Sequence, residues 1–146
     1  MIVLFLEGKI KDYEGRFLRE ILAFNDLEIE NTHNFIQWVF PLNKASKSLP
    51  GAPILFEEEI DDIRKSNLAK QNLIKSKDWF ISFLGRVNTW ETENNHNQKR
   101  VSRMIKSIRL LHSSKEADNC LSDVINLAKN RHLMSKNIIN FWKNVN

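Results

Sequence analysis

Apolar positions recur at helical spacing along most of this chain, and they divide it into stretches punctuated by proline, glycine and polar clusters. Between Tyr13 and Phe24, the residues Phe17, Leu18, Ile21, Leu22 and Phe24 fall on one side, with Arg16, Arg19 and Glu20 on the other, which predicts a first helix. A second is predicted from about Leu27 to Phe40. It must stop there, because Pro41 disfavours helix in the residue before it and donates no backbone bond. The segment Leu42 to Pro53, with Asn43, serines, prolines and Gly51, reads as a loop. A third helical stretch is predicted from near Phe56. The acids Glu57 to Asp62 suit the positive end of its dipole, and Ile60, Ile63 and Leu68 carry it on to a break near Lys75 to Asp78. Trp79, Phe80, Phe83 and Leu84 follow as an apolar cluster, which Gly85 is expected to close as a helix C-cap. The polar run Asn88 to Asn95 reads as a connection.

The strongest periodicity lies further on. A helix is predicted from Asn94 or Asn95 to about His112. At about 100° per residue, Val101, Met104, Ile105, Ile108 and Leu111 share one face, while Lys99, Arg103, Lys106 and Arg109 lie opposite. Ser113 and Glu116 have the spacing of a capping box, so another helix is expected to start there and to reach about Asn130. Ile138, Ile139, Phe141 and Trp142 predict a last helix between Ser135 and Val145.

Composition fits this reading. Of 146 residues, 42% are hydrophobic, nine are Phe and four are Trp, while only four Gly and three Pro are present. Such a chain supplies core material but few turns. The expected fold is all-α, a compact bundle of about five to seven helices around one core, with residues 1–146 forming a single domain. One cysteine, Cys120, excludes an internal disulfide and favours a reducing, cytoplasmic setting. Its neighbours Leu121, Val124 and Ile125 mark it as a buried structural thiol rather than a nucleophile. The apolar start Met1 to Leu6 is too short for a signal peptide or for the roughly 20 residues of a membrane span. Abundant Asn, Lys and Ile lean towards an A/T-rich, bacterial coding genome.

Charge changes the picture more than composition does. The net charge is +4, but residues 1–93 hold 12 basic and 15 acidic side chains, whereas residues 94–146 hold 10 and 3. No acid lies between Asn94 and His112 to neutralise Lys99, Arg100, Arg103, Lys106 and Arg109. The basic helix, residues 97–111, can therefore meet phosphate backbones, an acidic partner or an anionic surface, or it can be a core helix with a solvated outer face. That face carries no aromatic residue, which counts against single-strand stacking.

Across Glu30-Asn31-Thr32-His33-Asn34-Phe35-Ile36-Gln37-Trp38-Val39-Phe40-Pro41-Leu42, the chain resembles the signature of the opioid growth factor receptor conserved region, a helical domain. Asp12, Gly15 and Arg16 resemble that family's opening segment. Ala52-Pro53-Ile54-Leu55 with Glu57-Glu58 resembles the stretch after its loop, and Asn95-His96-Asn97 leading into Arg100, Arg103 and Ser107 resembles its second signature. The resemblance covers roughly residues 4 to 125 of a bacterial-type, single-domain member. It departs from the family at Phe56, where a capping Thr or Ser is usual, and at Gln98-Lys99, which replace an aromatic or aliphatic pair. The family resemblance implies a helical domain without a described activity for its small members. The namesake's enkephalin binding does not carry over.

His33, Gln37, Trp38, His96, Asn97, Arg100 and Arg103 form the candidate polar set. They read either as a structural network pinning the second helix against the basic helix or as a ligand site. Lys99, Lys106 and Arg109 are the candidate face for an anionic partner. The chain has no His pair at metal spacing, Gly-rich phosphate loop, nucleophile elbow or Cys pair. Accordingly, no catalytic residue, metal site or cofactor is assigned. The favoured function is a non-enzymatic module binding a protein or peptide. Binding of nucleic acid or another polyphosphate comes second, and an enzyme using His33 and His96 with a carboxylate such as Glu30 comes third.

Overall fold

The computed structural model describes residues 1–91, 95–131 and 136–144. Asn94, one of the two starts expected for the basic helix, and Ser135 and Val145, the expected bounds of the last one, lie outside the described residues. Among the described residues there are nine α-helices and no strand, so the fold is all-α. Five of the nine have seven or more residues, within the five to seven expected; the short ones arise because one predicted helix is divided, another contracts and a short N-terminal one was not anticipated. The chain's internal contacts gather into two units, Met1–Ser76 and Lys77–Asn146.

In the first unit, α1 (Ile2–Leu6) buries Ile2, Phe5 and Leu6 at i, i+3 and i+4, packing on α4 (Ile36–Val39) and α5 (Glu57–Lys65). Five residues cannot hold a helix alone, so this packing and its C-terminal cap stabilise it. The cap is a Schellman motif: Gly8, at φ +82°, donates to the Phe5 carbonyl at 2.9 Å, and Lys9 donates to that of Leu4 at 2.8 Å. Glu7 then accepts from the Ser66 hydroxyl at 2.7 Å, a bond that pulls its carboxyl below the ordinary range.

The helix predicted from Tyr13 to Phe24 contracts to α2 (Leu18–Ile21). Residues 12–16 instead form a turn in which Gly15 takes φ +77° and the Asp12 carboxylate collects the backbone N–H groups of Glu14 and Arg16. The helix expected from Leu27 to Phe40 is split into α3 (Asp26–Asn31) and α4. Asn25 and Glu28 cap α3 reciprocally, at 2.8 and 3.1 Å. The break follows from Arg16, whose guanidinium takes both the carbonyl and the side-chain oxygen of Asn34 at 3.0 Å. Trp38 therefore bonds back to Phe35 instead of continuing the ladder. Pro41 ends α4 as expected, and no helix forms between it and α5.

The break expected near Lys75 to Asp78 lies at Ser66 instead. There the hydroxyl caps α6 (Asn67–Arg86) by accepting from Ala69 at 3.0 Å. Leu68, predicted as part of the preceding apolar stripe, is 43% exposed because the new helix restarts the register. Gly85 does not act as a C-cap. It lies within α6, one residue before its end, and has no left-handed conformation.

In the second unit, α7 (His96–Leu111) buries all five predicted apolar residues and packs chiefly on α8 (Ser114–Arg131). Asn95 caps α7, its side chain accepting from Asn97 N–H at 2.8 Å. Ser113 caps α8 by accepting from Glu116 at 3.1 Å, one half of the expected box. The last helix, α9 (Lys136–Lys143), packs on α7 and α8 and buries Trp142.

Cys120 is fully buried on α8, and desolvation pushes its thiol up to about 12, with Lys77 opposing. Its thiolate fraction at neutral pH is then roughly a thousandth of that of an exposed thiol. An aromatic disulfide reagent at pH 8 is expected to label Cys120 in urea but leave the native protein essentially unmodified, and equal rates would show an accessible thiol. The sign for stability follows. The unfolded chain ionises first, so this group's contribution is complete below its unfolded value and is lost as pH climbs towards the folded one.

Candidate functional site

The seven residues of the candidate polar set divide between the two units. His33, Gln37 and Trp38 belong to the first, and His96, Asn97, Arg100 and Arg103 to the second. In the first unit, His33 is exposed at the break between α3 and α4. Trp38 is buried and meets the rings of Phe5 at 5.2 Å and Tyr13 at 4.6 Å, both edge-on. Gln37 is also buried, at 2% exposure, and its Oε1 has no hydrogen-bond partner among the described residues.

The strongest polar constellation of this unit was not in the candidate set. Asp12, whose side chain is fully buried, pairs with Arg16 through two donors, Nε at 2.9 Å and Nη2 at 2.7 Å. Arg16 then reaches Asn34. Five hydrogen bonds converge on Asp12 and Asn34 from Arg16, which makes this cluster architectural: it fixes the turn at Gly15 and the break between α3 and α4 at once. The Asp12–Arg16 spacing of four was legible, but Asn34 as the third member was not, since nothing local ties positions 18 residues apart.

In the second unit, Asn97 is fully buried. Its amide donates to Thr89 Oγ1 at 3.3 Å and its carbonyl oxygen accepts from Arg100 at 3.0 Å, so Arg100 is held inside, at 5% exposure. Arg103 is half-buried, and desolvation lowers its guanidinium to about 10, which leaves it charged at neutral pH. His96 is half-buried in the first turn. Of the predicted anionic-partner face, Lys99 is exposed, Lys106 is half-buried, and Arg109 is tied to Asp118 at 2.9 Å. The uniformly positive face expected of this helix is therefore reduced.

Around the first turns of α7, a second cluster was missed. Gln98 donates to the Trp90 carbonyl at 2.8 Å, and its own carbonyl accepts from the Trp142 indole at 3.4 Å. The two indoles stack, with centroids 6.1 Å apart and planes at 27°. Arg131 closes the arrangement by donating to the last carbonyls of α6, at Leu84 and Gly85, and to Glu91. Beside this cluster α7 and α9 form a groove of about 250 Å³ lined by Asn95, Gln98, Lys99, Ser102, Ile138 and Phe141. Phe141 is 54% exposed there, next in sequence to the fully buried Trp142. That contrast of neighbours on one amphipathic helix is the signal that could have found the groove.

Among the described residues no group of three or more His, Cys, Asp or Glu side chains could hold a metal ion, and no helix is long and apolar enough to cross a membrane. These helices, capped by side chains and held by buried polar clusters, define an all-helical protein. The chain belongs to the opioid growth factor receptor conserved-region family, whose profile matches residues 14–92, just over half of it. The match takes in Gly15, Arg16 and the Glu30 to Leu42 segment and ends before the Asn95-His96-Asn97 segment. The mouse protein (Mus musculus) called opioid growth factor receptor-like protein 1 is 26% identical over 115 residues, 65% of this chain and 25% of that relative. The chain thus spans about a quarter of that relative's length. No solved structure matches it.

Proposed function

We propose that this protein is a non-enzymatic interaction module that binds an acidic peptide segment of a partner through the groove between α7 and α9. The carrying observation is that groove's chemistry. A half-exposed Phe141 and Ile138 offer an apolar anchor site beside the Lys99 ammonium, with the amide of Asn95 and the hydroxyl of Ser102 alongside. Solvent-exposed aromatic area next to a cation favours a segment that supplies one apolar side chain and a carboxylate.

Panning a random peptide display library against the protein is expected to enrich sequences pairing Asp or Glu with an apolar residue. Lys99→Glu and Phe141→Ala should each weaken the enriched peptides by about tenfold, the usual size of an interface anchor. Peptides that bind both variants as well as the parent, or no enrichment, would overturn the reading.

Nucleic-acid binding is supported less well. With Arg100 inside and Arg109 paired, the other cations of this helix are the exposed Lys99 and the half-buried Arg103 and Lys106. Three phosphate contacts give a salt slope of only about −3, short of the six to ten contacts that make such binding strong. His33 and His96, on which an enzyme reading depended, lie in separate units.

A further inference from the structure

A second surface, in the first unit and independent of the groove, breaks the ordinary rules of a solvated exterior. Phe56 occupies the N-cap of α5 and is 74% exposed. A phenyl ring cannot accept from the free N–H groups of the first turn, whereas the side-chain oxygen of Ser, Thr, Asp or Asn there would contribute to stability. The helix forgoes that contribution and places an aromatic ring in water. A cap bond here runs the other way, from Phe56 N–H to Glu59 Oε1 at 3.2 Å. Ile54, two residues earlier in the extended approach to α5, is 42% exposed, while Pro53 and Leu55 between and beside them are buried. In an extended segment alternate residues share a face, so Ile54 and Phe56 stand together, roughly 7 Å apart along the chain.

The exposed side-chain charge of α5 beside this apolar face is negative, while the Met1 ammonium lies 3.8 Å from Glu59 at the same helix start. Glu57, Glu58, Asp61 and Asp62 are all exposed on α5, within two turns of Phe56. Four carboxylates outweigh the Met1 ammonium and the roughly half positive charge of the helix N-terminus together, so the rim is anionic. A local departure from helix-capping chemistry that brings no folded-state gain is expected where a surface serves an outside partner.

We infer that Ile54 and Phe56, with the acidic rim of α5, form a docking face for a basic amphipathic helix of a partner protein. The spacing of Ile54 and Phe56 suits side chains at i and i+4 of a helix, about 6 Å apart, and Lys or Arg on that helix's flanks would meet Glu57, Glu58, Asp61 and Asp62. This inference does not rest on the groove of the second unit, which selects the opposite charge.

The test uses the intact protein and three synthetic 18-residue peptides: a Leu/Lys amphipathic helix, its Leu/Glu counterpart, and a Leu/Lys peptide of the same composition with the apolar face scrambled. Because the whole protein is net positive, a basic peptide gains nothing from non-specific attraction. Fluorescence anisotropy is expected to show binding of the first peptide only, weakened about tenfold in Ile54→Ala/Phe56→Ala and in Glu57→Lys/Glu58→Lys. Amide shift changes should centre on residues 54–62, and Leu27→Ala, at another exposed apolar side chain, should bind like the parent. Equal affinity for the scrambled peptide, or unchanged binding by the Phe56 variant, would overturn the inference. So would self-association of the unliganded protein, seen by sedimentation and abolished by Phe56→Ala, since the face would then belong to a second copy.

Discussion

Trp90→Ala is expected to lower the unfolding free energy by about 3–5 kcal/mol, the largest single-residue effect in the second unit. Trp90 is fully buried, and its indole N–H donates to the Leu84 carbonyl at 3.0 Å and to that of Val87 at 3.3 Å. The hydrogen bonds are the smaller part. Arg131 still serves Leu84 when the indole is gone, so their net loss is about 1 kcal/mol. The cavity beneath Trp142 and the lost ring stacking dominate. Trp90→Phe should recover more than half of the loss, because it keeps most of the buried ring while lacking the donor. Urea unfolding followed by far-ultraviolet circular dichroism measures both. A Trp90→Ala cost below about 1.5 kcal/mol would mean that α9 collapses onto the vacated space.

Arg16→Met should cost about 3–5 kcal/mol in the first unit, because it leaves the Asp12 carboxylate buried without its cation. Asp12→Asn alone retains an acceptor for the Glu14 and Arg16 N–H groups, yet removes the charge that Arg16 neutralises. The double variant should therefore cost less than the two single changes together, with a coupling of about 1–3 kcal/mol in a double-mutant cycle of thermal or urea unfolding. Strict additivity would show that the two side chains act separately. Since Arg16 also holds Asn34, the single Arg16 variant should loosen the chain at Thr32 to Phe35, read as faster amide exchange there than in the parent.

The side chains chosen to test binding lie outside these two clusters, although Gln98 belongs to the Trp90 cluster and also lines the groove. Phe56, Ile54, Lys99 and Phe141 are exposed, and their replacement is expected to leave stability within about 0.5 kcal/mol. Affinity lost in those variants then reports on the surface itself.

The candidate site was only partly legible. Lys99 and the burial of Asn97 follow from helix periodicity, because α7 is long and strongly amphipathic and each position's face is set by its place in the repeat. That Arg100 turns inward to Asn97 and Arg109 outward to Asp118 did not follow. Both are cations on one helix, and their different fates depend on partners at other positions. Gln98 was read as a departure from a family pattern. Its side chain in fact holds the Trp90 carbonyl and its backbone holds Trp142, 44 residues further on, a link that no local rule contains.

The sequence alone determined what is set by short-range chemistry. It specified the all-α class, the stop at Pro41, the loop before α5, the buried stripe of α7 and the caps at Asn95 and Ser113, since each arises from periodicity or from bonds spanning a few residues. Only the tertiary structure decided where marginal helices break and which exposed side chains stand together. The break between α3 and α4 exists because Arg16 claims Asn34, and α1 exists because α4 and α5 bury it, although its five residues have too few internal bonds to persist alone. The two surfaces also arise at this level. A groove requires α9 against α7, and the apolar face at Phe56 requires a buried Leu55 to turn its neighbours outward.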